Sequence, residues 1–196
     1  MSEAKILAFA GSAREGSFND RLVRIAVEGA KSAGATVTYL NLRDYPIPLF
    51  DEDLESAEGP NEHAVRLKKL FLDHDALLLG CPEYNSSITP LLKNAIDWVS
   101  RPGDGEPRLA AFQNKTAALM SASPGALGGM RGLVHVRDIL GNIGVTVLPT
   151  QVCVGNAADA FYGDGQLKDS DRQQAVLKLG RTLTEVTRKL KADFDD

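Results

Sequence analysis

The segment Asp75-Ala76-Leu77-Leu78-Leu79-Gly80 constrains this chain more than any other, because past its first residue it is apolar without a break. Alternation would mark a strand with one wet face. A continuous run of this length marks a strand covered on both faces, as in a parallel sheet between helices. The residues that follow, Cys81-Pro82-Glu83-Tyr84-Asn85-Ser86-Ser87, are largely polar and carry one aromatic ring. Then comes Thr89-Pro90-Leu91-Leu92-Lys93-Asn94-Ala95-Ile96-Asp97-Trp98, a helix start with Thr89 as N-cap and Pro90 in the first helical position. The polar segment is therefore a loop at the carboxyl end of a buried strand, the edge at which open α/β sheets bind ligands. Pro82 stiffens it, and Tyr84 and Asn85 offer a flat ring and amide donors. A planar, polar ligand is expected there.

The same strand–loop–helix unit recurs along the chain. Lys5 to Ala10 reads as a buried strand, Gly11 to Asn19 as its loop, and Asp20 to Ser32 as a helix closed by Gly34. Ser17 and Asp20 have capping-box spacing. Thr36 to Leu42 is a second, less buried strand whose alternation breaks at Leu40. Asp44 to Pro60, with its prolines and the acidic run Asp51 to Glu58, is expected to be a long loop, and a helix follows from Asn61 or Glu62 through Leu72. Ser100 to Asn114 reads as a loop, Thr116 to Ala122 as a fourth strand, Ser123 to Gly129 as its turn, and Met130 to Gly141 as a helix. Val145 to Val154 is a fifth strand interrupted by Pro149, and Gly155 to Gly165 a Gly-rich surface segment before an amphipathic helix from Ser170 to Lys191. Five such repeats give an α/β, doubly wound, three-layer sandwich, with residues 1–196 as one domain.

Composition narrows the partners. The chain has 196 residues, 43% of them hydrophobic, enough to fill one core. Its formal net charge of −4 lacks the basic footprint of a nucleic-acid binder. No apolar stretch approaches the roughly 20 residues of a membrane span, and the run Ile6 to Ala10 is too short for a signal peptide. Cys81 and Cys153 are too few for a disulfide framework, a metal centre or an iron–sulfur cluster. They read as small buried hydrophobes in a reducing, cytoplasmic setting.

Gly11 to Asn19 lies where nucleotide phosphates dock on a helix N-terminus. Gly11 lets the backbone turn from the strand, Ser12, Ser17 and Asn19 supply neutral donors, and Arg14 brings a fork matched to phosphate oxygens. The loop has no lysine, so it is not a P-loop, and Ser12-Ala13 breaks the dinucleotide fingerprint. A monophosphate fits better than a triphosphate. Arg14 is expected to have no partner within the protein. Two further loops, Pro82 to Ser87 and Ser121 to Gly129, share the sheet edge, the second with small residues that let backbone approach a ring. One phosphate loop and two ring-facing loops describe a flavin mononucleotide (FMN) site.

Taken together, Gly11-Ser12-x-Arg14-x-x-Ser17-x-Asn19, Pro82-Glu83-Tyr84-Asn85-x-Ser87, Leu92 to Trp98 and Ser121-x-Ser123-x-Gly125 resemble the NADPH-dependent FMN reductase family, and within it the bacterial quinone, chromate and azo-dye reductases. Pro46 to Leu54 is similar to that family's loop after the second strand. The resemblance implies a flavodoxin-like fold, a five-stranded parallel sheet of order 2-1-3-4-5 with FMN at the switch point. It implies that Ser12, Arg14, Ser17 and Asn19 hold the phosphate, with Gly11 and Phe18 also binding the cofactor, that Pro82, Glu83, Tyr84 and Asn85 line the isoalloxazine, and that Ser121, Ser123 and Gly125 face its far side. It also implies a homodimer or homotetramer. Leu91, Ala95 and Trp98 add a second apolar stripe to the Pro90–Ser100 helix that fits either a subunit interface or core packing.

The expected activity is FMN-dependent oxidation of NADPH or NADH, with two-electron reduction of a quinone or similar acceptor such as chromate, an azo compound or free flavin. The flavin carries the chemistry, so no catalytic side chain and no metal are required. Amides near Ser123-Pro124-Gly125 and the following helix are expected to face negative charge on the reduced ring. His63, His74 and His135 fall on predicted helices or their ends, away from the three loops. A flavodoxin-type electron carrier without nicotinamide activity is a rival that Arg14 argues against. Release of reduced FMN to a partner monooxygenase is a second rival, left open by the residues.

Overall fold

Chain order gives β1 (Lys5–Ala10), α1 (Phe18–Ser32), β2 (Thr36–Tyr39), α2 (Glu52–Glu58), α3 (Glu62–Leu72), β3 (Ala76–Gly80), β4 (Glu83–Tyr84), β5 (Ser87–Ile88), α4 (Pro90–Val99), β6 (Thr116–Ala122), α5 (Met130–Asn142), β7 (Thr146–Val154), α6 (Ala157–Ala160) and α7 (Ser170–Phe194). The computed structural model describes residues 3–103 and 105–194; Asp104, in the loop expected over 100–114, lies outside the described residues. Five strands form one parallel sheet in the order β2-β1-β3-β6-β7. This is the expected 2-1-3-4-5 order once the separate β4–β5 ribbon is left out of the count. Every residue of β3 and β6 is buried, as the unbroken apolar run of β3 and the apolar stretch Ala117 to Met120 of β6 require. One core packs α1 and α7 against one sheet face, and a second packs α3, α4 and α5 against the other. Ala10 pairs in register with Gly80, and Gly80 with Met120. The loops after β1, β3 and β6 therefore leave the sheet side by side, at the point where the winding reverses.

Several expectations are corrected, each for a local reason. β2 ends at Tyr39 because Leu40 and Leu42 turn into the core, and Asn41 caps a short 3₁₀ turn by accepting from the Arg43 amide. The acidic run is a helix, α2, not a loop. Asp51 caps it through the Asp53 amide at 2.8 Å, acidic residues fill its first turn, and Gly59 ends it with φ +79°. The Gly-rich segment includes the short α6. Pro149 sits where β7 shifts register against β6, and Arg137 donates to the Leu148 carbonyl left free there, at 2.8 Å. Finally, Ala95 and Trp98 are covered by their own chain. The Trp98 indole donates to the Pro48 carbonyl at 2.8 Å, Phe50 meets its ring edge-on at 5.2 Å, and Asn94 bonds the same segment through Pro48 and Phe50. That stripe is core.

The approach of α7 to α1 fixes the helix that begins at the phosphate loop. A Cβ on Gly180 would lie 2.0 Å from the Ala26 carbonyl oxygen, and one on Gly29 2.0 Å from that of Leu177. Gly180→Ala is expected to lower unfolding free energy by about 1–3 kcal/mol through overpacking. Gly141→Ala in α5, where a Cβ meets nothing within 4 Å, is expected to be neutral or raise it by about 0.5 kcal/mol. Urea denaturation of both variants measures the contrast.

Candidate active site

The first loop starts under tension between sheet and helix. The Gly11 amide donates to the Gly80 carbonyl at 2.8 Å, and the Thr89 hydroxyl donates to the Gly11 carbonyl at 2.8 Å while accepting from the Leu92 amide. A Cβ on Gly11 would come within 2.9 Å of the Leu92 side chain. Glycine is required here by the approach of α4, not by a turn. Beyond it, the Ser12 hydroxyl accepts from the Arg14 amide at 3.3 Å. Arg43 braces the loop from outside, donating to the Ala13 carbonyl at 3.0 Å and pairing with Glu15 at 2.8 Å.

Ser17 occupies the N-cap of α1, yet its hydroxyl makes no capping bond and the side chain is almost fully buried. The expected capping box is not formed, because Asp20 turns instead to Arg24, at 2.9 Å, and to the Tyr39 hydroxyl. Arg14 is not partnerless, contrary to expectation. Its guanidinium lies 5.1 Å from the centre of the Phe18 ring and donates to the Gly16 carbonyl at 3.3 Å. Asn19 is 4% exposed and spends its whole amide on Ala122, donating to that carbonyl at 2.8 Å and accepting from that N–H at 2.9 Å. What Asn19 presents to a ligand is backbone: the first-turn N–H groups of α1 have no partner inside the helix.

The second loop is a hairpin. Glu83 pairs with Ile88 and Tyr84 with Ser87, so Asn85 and Ser86 form a two-residue turn with φ +49° and +68°. Two successive positive φ values mark the primed turn that matches strand twist. Tyr84 is left 54% exposed at its tip. The hairpin is tied to α5. The Glu83 carboxylate accepts from the Gly132 amide at 2.9 Å and from Arg131 at 2.8 Å. Burial pushes the Glu83 carboxyl up, but the Gly132 amide and the Arg131 guanidinium outweigh it and hold the group below the usual carboxylate range. Ser87 shares a 2.9 Å hydrogen bond with His135 Nδ1, so His135, unlike His74, does touch one of the three loops.

The third loop folds back on the chain after β7. The Ser123 amide donates to the Val154 carbonyl and the Ala157 amide to the Ser123 carbonyl, each at 3.0 Å. The Gly125 amide turns to the Ser123 hydroxyl at 3.3 Å. These two amides therefore already have partners within the protein. Ser121 is fully buried with its hydroxyl unpartnered, and a Cβ on Gly129 (φ +86°) would land 1.9 Å from that oxygen.

Ser12, Arg14, Ser17, Phe18, Asn19, Pro82, Glu83, Tyr84 and Ser123 line one cleft of about 340 Å³, together with Ala122 and Pro124. Gly11 and Ser121 lie buried outside its lining, while Asn85 and Gly125 are exposed outside it. The donor set suits a phosphate ester at one end: a guanidinium, two hydroxyls and the open first turn of a helix. A larger hollow of about 690 Å³ runs along the flank of α1 toward residues 163–166, but Asp20, Glu28 and Asp164 offset its cations and no loop of the sheet edge beyond Gly16 reaches it. Sequence reasoning missed Arg43, the second bond of Thr89, and Arg131, whose only signal was its place in the first turn after the Gly128-Gly129 pair. Burial pushes the Cys81 and Cys153 thiols up, as befits packing residues rather than nucleophiles. No group of three or more metal-ligating side chains occurs among the described residues.

Known proteins share this architecture. The family model described as NADPH-dependent FMN reductase matches residues 4–159. An NAD(P)H-dependent FMN reductase of Pseudomonas aeruginosa is 33% identical over 190 residues, covering 96% of this chain and 98% of the relative. A quinone reductase of Pseudomonas putida is 37% identical over 163 residues, 83% of each chain. The solved flavoenzyme NAD(P)H:(acceptor) oxidoreductase of Paracoccus denitrificans superposes with a TM-score of 0.76 at 24% identity, over 95% of this chain and 98% of its own, and so shares the fold.

Two outcomes test the site's construction. Asn19→Ala strands both polar groups of Ala122 and is expected to lower stability by about 2–4 kcal/mol, read by urea denaturation. Because the Glu83 carboxyl is depressed in the folded protein, its bonds contribute at neutral pH and are lost as pH falls through that depressed value, below about pH 4. Wild-type protein should therefore lose more stability between pH 5 and pH 3 than Glu83→Gln does, and equal losses would show that the pair with Arg131 carries no linkage.

Proposed function

Because the chain belongs to the NADPH-dependent FMN reductase family, we propose that it is an FMN-dependent NAD(P)H oxidoreductase that delivers two electrons to a quinone-like acceptor. The observation that carries this is one cleft lined both by phosphate donors, Arg14, Ser12 and Ser17, and by a half-exposed tyrosine. When bound, FMN supplies hydride acceptance and two-electron delivery. The chain's own residues bind and orient. The Arg14 guanidinium and the Ser12 and Ser17 hydroxyls hold the terminal phosphate, with the open first turn of α1 behind them. Asn19 and Gly11 support that loop, as Ser121 and Gly125 support the third. Pro82, Glu83 and Ser123 bound the ring system.

Glu83 positions the hairpin and transfers no proton, since its carboxylate is committed to Gly132 and Arg131. Tyr84, with Asn85 behind it in the turn, forms the rim on which nicotinamide and acceptor stack in turn. Residues 1–196 act as one FMN-binding domain. The chain forms a homodimer or homotetramer; in support, Tyr84, Leu127, Met130 and Val134 leave large apolar side chains exposed, the last two one turn apart on α5. No helix among the described residues is long and apolar enough to cross a membrane. We assign the protein to the cytoplasm, where two free cysteines remain reduced.

Two experiments check this reading. FMN should bind more tightly than riboflavin, and Arg14→Ala should weaken FMN binding about ten- to a hundredfold, the loss of a charge-assisted pair of about 1.5–3 kcal/mol. Flavin fluorescence quenching measures both, and equal affinity for riboflavin and FMN would remove the phosphate assignment. Turnover of NADPH or NADH with a soluble benzoquinone should follow parallel double-reciprocal lines, and Tyr84→Ala should cut turnover while FMN retention changes little. Convergent lines would break the shared-face mechanism, and no nicotinamide oxidation by FMN-loaded protein would favour an electron carrier.

A further inference from the structure

Phe161 lies two residues beyond the family match, in the segment between β7 and α7, yet its ring reaches the phosphate loop. It stacks on Phe18 with centroids 6.1 Å apart and planes within 5°. Phe18 is the first residue of α1, and the Arg14 guanidinium lies over its ring, 5.1 Å from the centre. Arg21 lies 5.9 Å from the Phe161 ring centre, so each ring of the pair has a guanidinium over it. Both arginines border the Gly16 turn. Arg14 donates to the Gly16 carbonyl, and an Arg21 nitrogen lies 4.0 Å from where a Gly16 Cβ would stand.

Arg14 is exposed, and among the described residues two side-chain contacts orient it: the long 3.3 Å bond to Gly16 and the face of Phe18. Phe18 is itself only partly buried, so its ring plane depends on what stacks beneath it. Phe161 is 7% exposed and firmly seated. It bridges Leu167, the Tyr162 amide donates to the Gln166 carbonyl at 2.8 Å, and the Leu167 amide donates to the Gln173 side chain on α7 at 3.0 Å. A rigid path thus runs from α7 through Phe161 and Phe18 to Arg14.

We propose that Phe161 is a positioning residue for Arg14: by fixing the Phe18 ring it presets the guanidinium for the terminal phosphate, and so sets affinity for that phosphate and not for the ring system. The proposal rests on the phosphate reading given above. A guanidinium held in its binding pose has less side-chain freedom to lose on binding, which is worth about three- to tenfold in affinity.

The test compares FMN and riboflavin dissociation constants, by fluorescence quenching, for full-length flavin-free protein. Phe161→Leu should weaken FMN about three- to tenfold and leave riboflavin within about twofold. Phe161→Tyr, which keeps the ring, should match wild type. In an Arg14→Ala background, Phe161→Leu should change FMN affinity no further, since the group it orients is gone. Phe161→Met, of similar volume, repeats the measurement should the leucine variant not fold. Equal weakening of FMN and riboflavin, independent effects in the double variant, or the same loss in Phe161→Tyr would each overturn the proposal. If Arg14→Ala distinguishes the two flavins and Phe161→Leu does not, this proposal alone fails. If Arg14→Ala itself fails to distinguish them, the phosphate reading fails with it.

Discussion

Asn19 and the backbone of Ala122 exchange two hydrogen bonds in a buried environment, and the arrangement of the three loops depends on that exchange. The strands that lead to these two residues are not neighbours; β3 lies between them, so the partners are joined across a gap of about two strand spacings, ~9–10 Å. The first turn of α1 closes the gap by lying over the end of β3. It fits because that strand ends in Gly80, where a Cβ would meet the Asn19 carbonyl oxygen at 2.8 Å and Val23 at 2.7 Å. An aspartate or leucine at position 19 would leave Ala122 with an unmatched N–H or C=O in a water-poor setting. One amide therefore sets the distance between the phosphate end of the cleft and the loop that bounds its ring end.

The two ends are built on different physics. At the phosphate end, groups that suit an anion lack stronger partners among the described residues: a capping hydroxyl that does not cap, a guanidinium held by a ring face and one carbonyl, and first-turn amides. At the other end, charge is spent inside the protein. Glu83 is neutralised by Arg131 and by the amide of Gly132, which fastens the hairpin to α5 and leaves Tyr84 as the exposed group. Two residues with positive φ in the turn keep that tyrosine at the tip of a short, twisted ribbon.

Much of this was legible in the chain itself, because the signals were local. The apolar run before Gly80, the Thr89-Pro90 helix start and the repeated strand–loop–helix order determine the sheet and its bound edge. Nine of the thirteen residues expected at the site line a single cleft. What the chain did not reveal depends on partners far away in sequence. Ser17 and Asp20 have the spacing of a capping box, but Tyr39, on the neighbouring strand, claims the aspartate. The stripe of Ala95 and Trp98 looks like an interface until the Pro48–Phe50 segment is seen to cover it. Glu83 carries no sign of Arg131, 48 positions away. The helix at Glu52–Glu58 is a different case: its cap, acidic first turn and terminal glycine were all present, and the density of acidic residues and prolines masked them.

A crystal structure of the protein grown with FMN tests the account most directly. The terminal phosphate should lie between the Arg14 guanidinium and the Ser12 and Ser17 hydroxyls at the start of α1, with the ring system against Pro82 to Tyr84. Flavin density in the larger hollow along the flank of α1, or a phosphate turned away from Arg14, would contradict it.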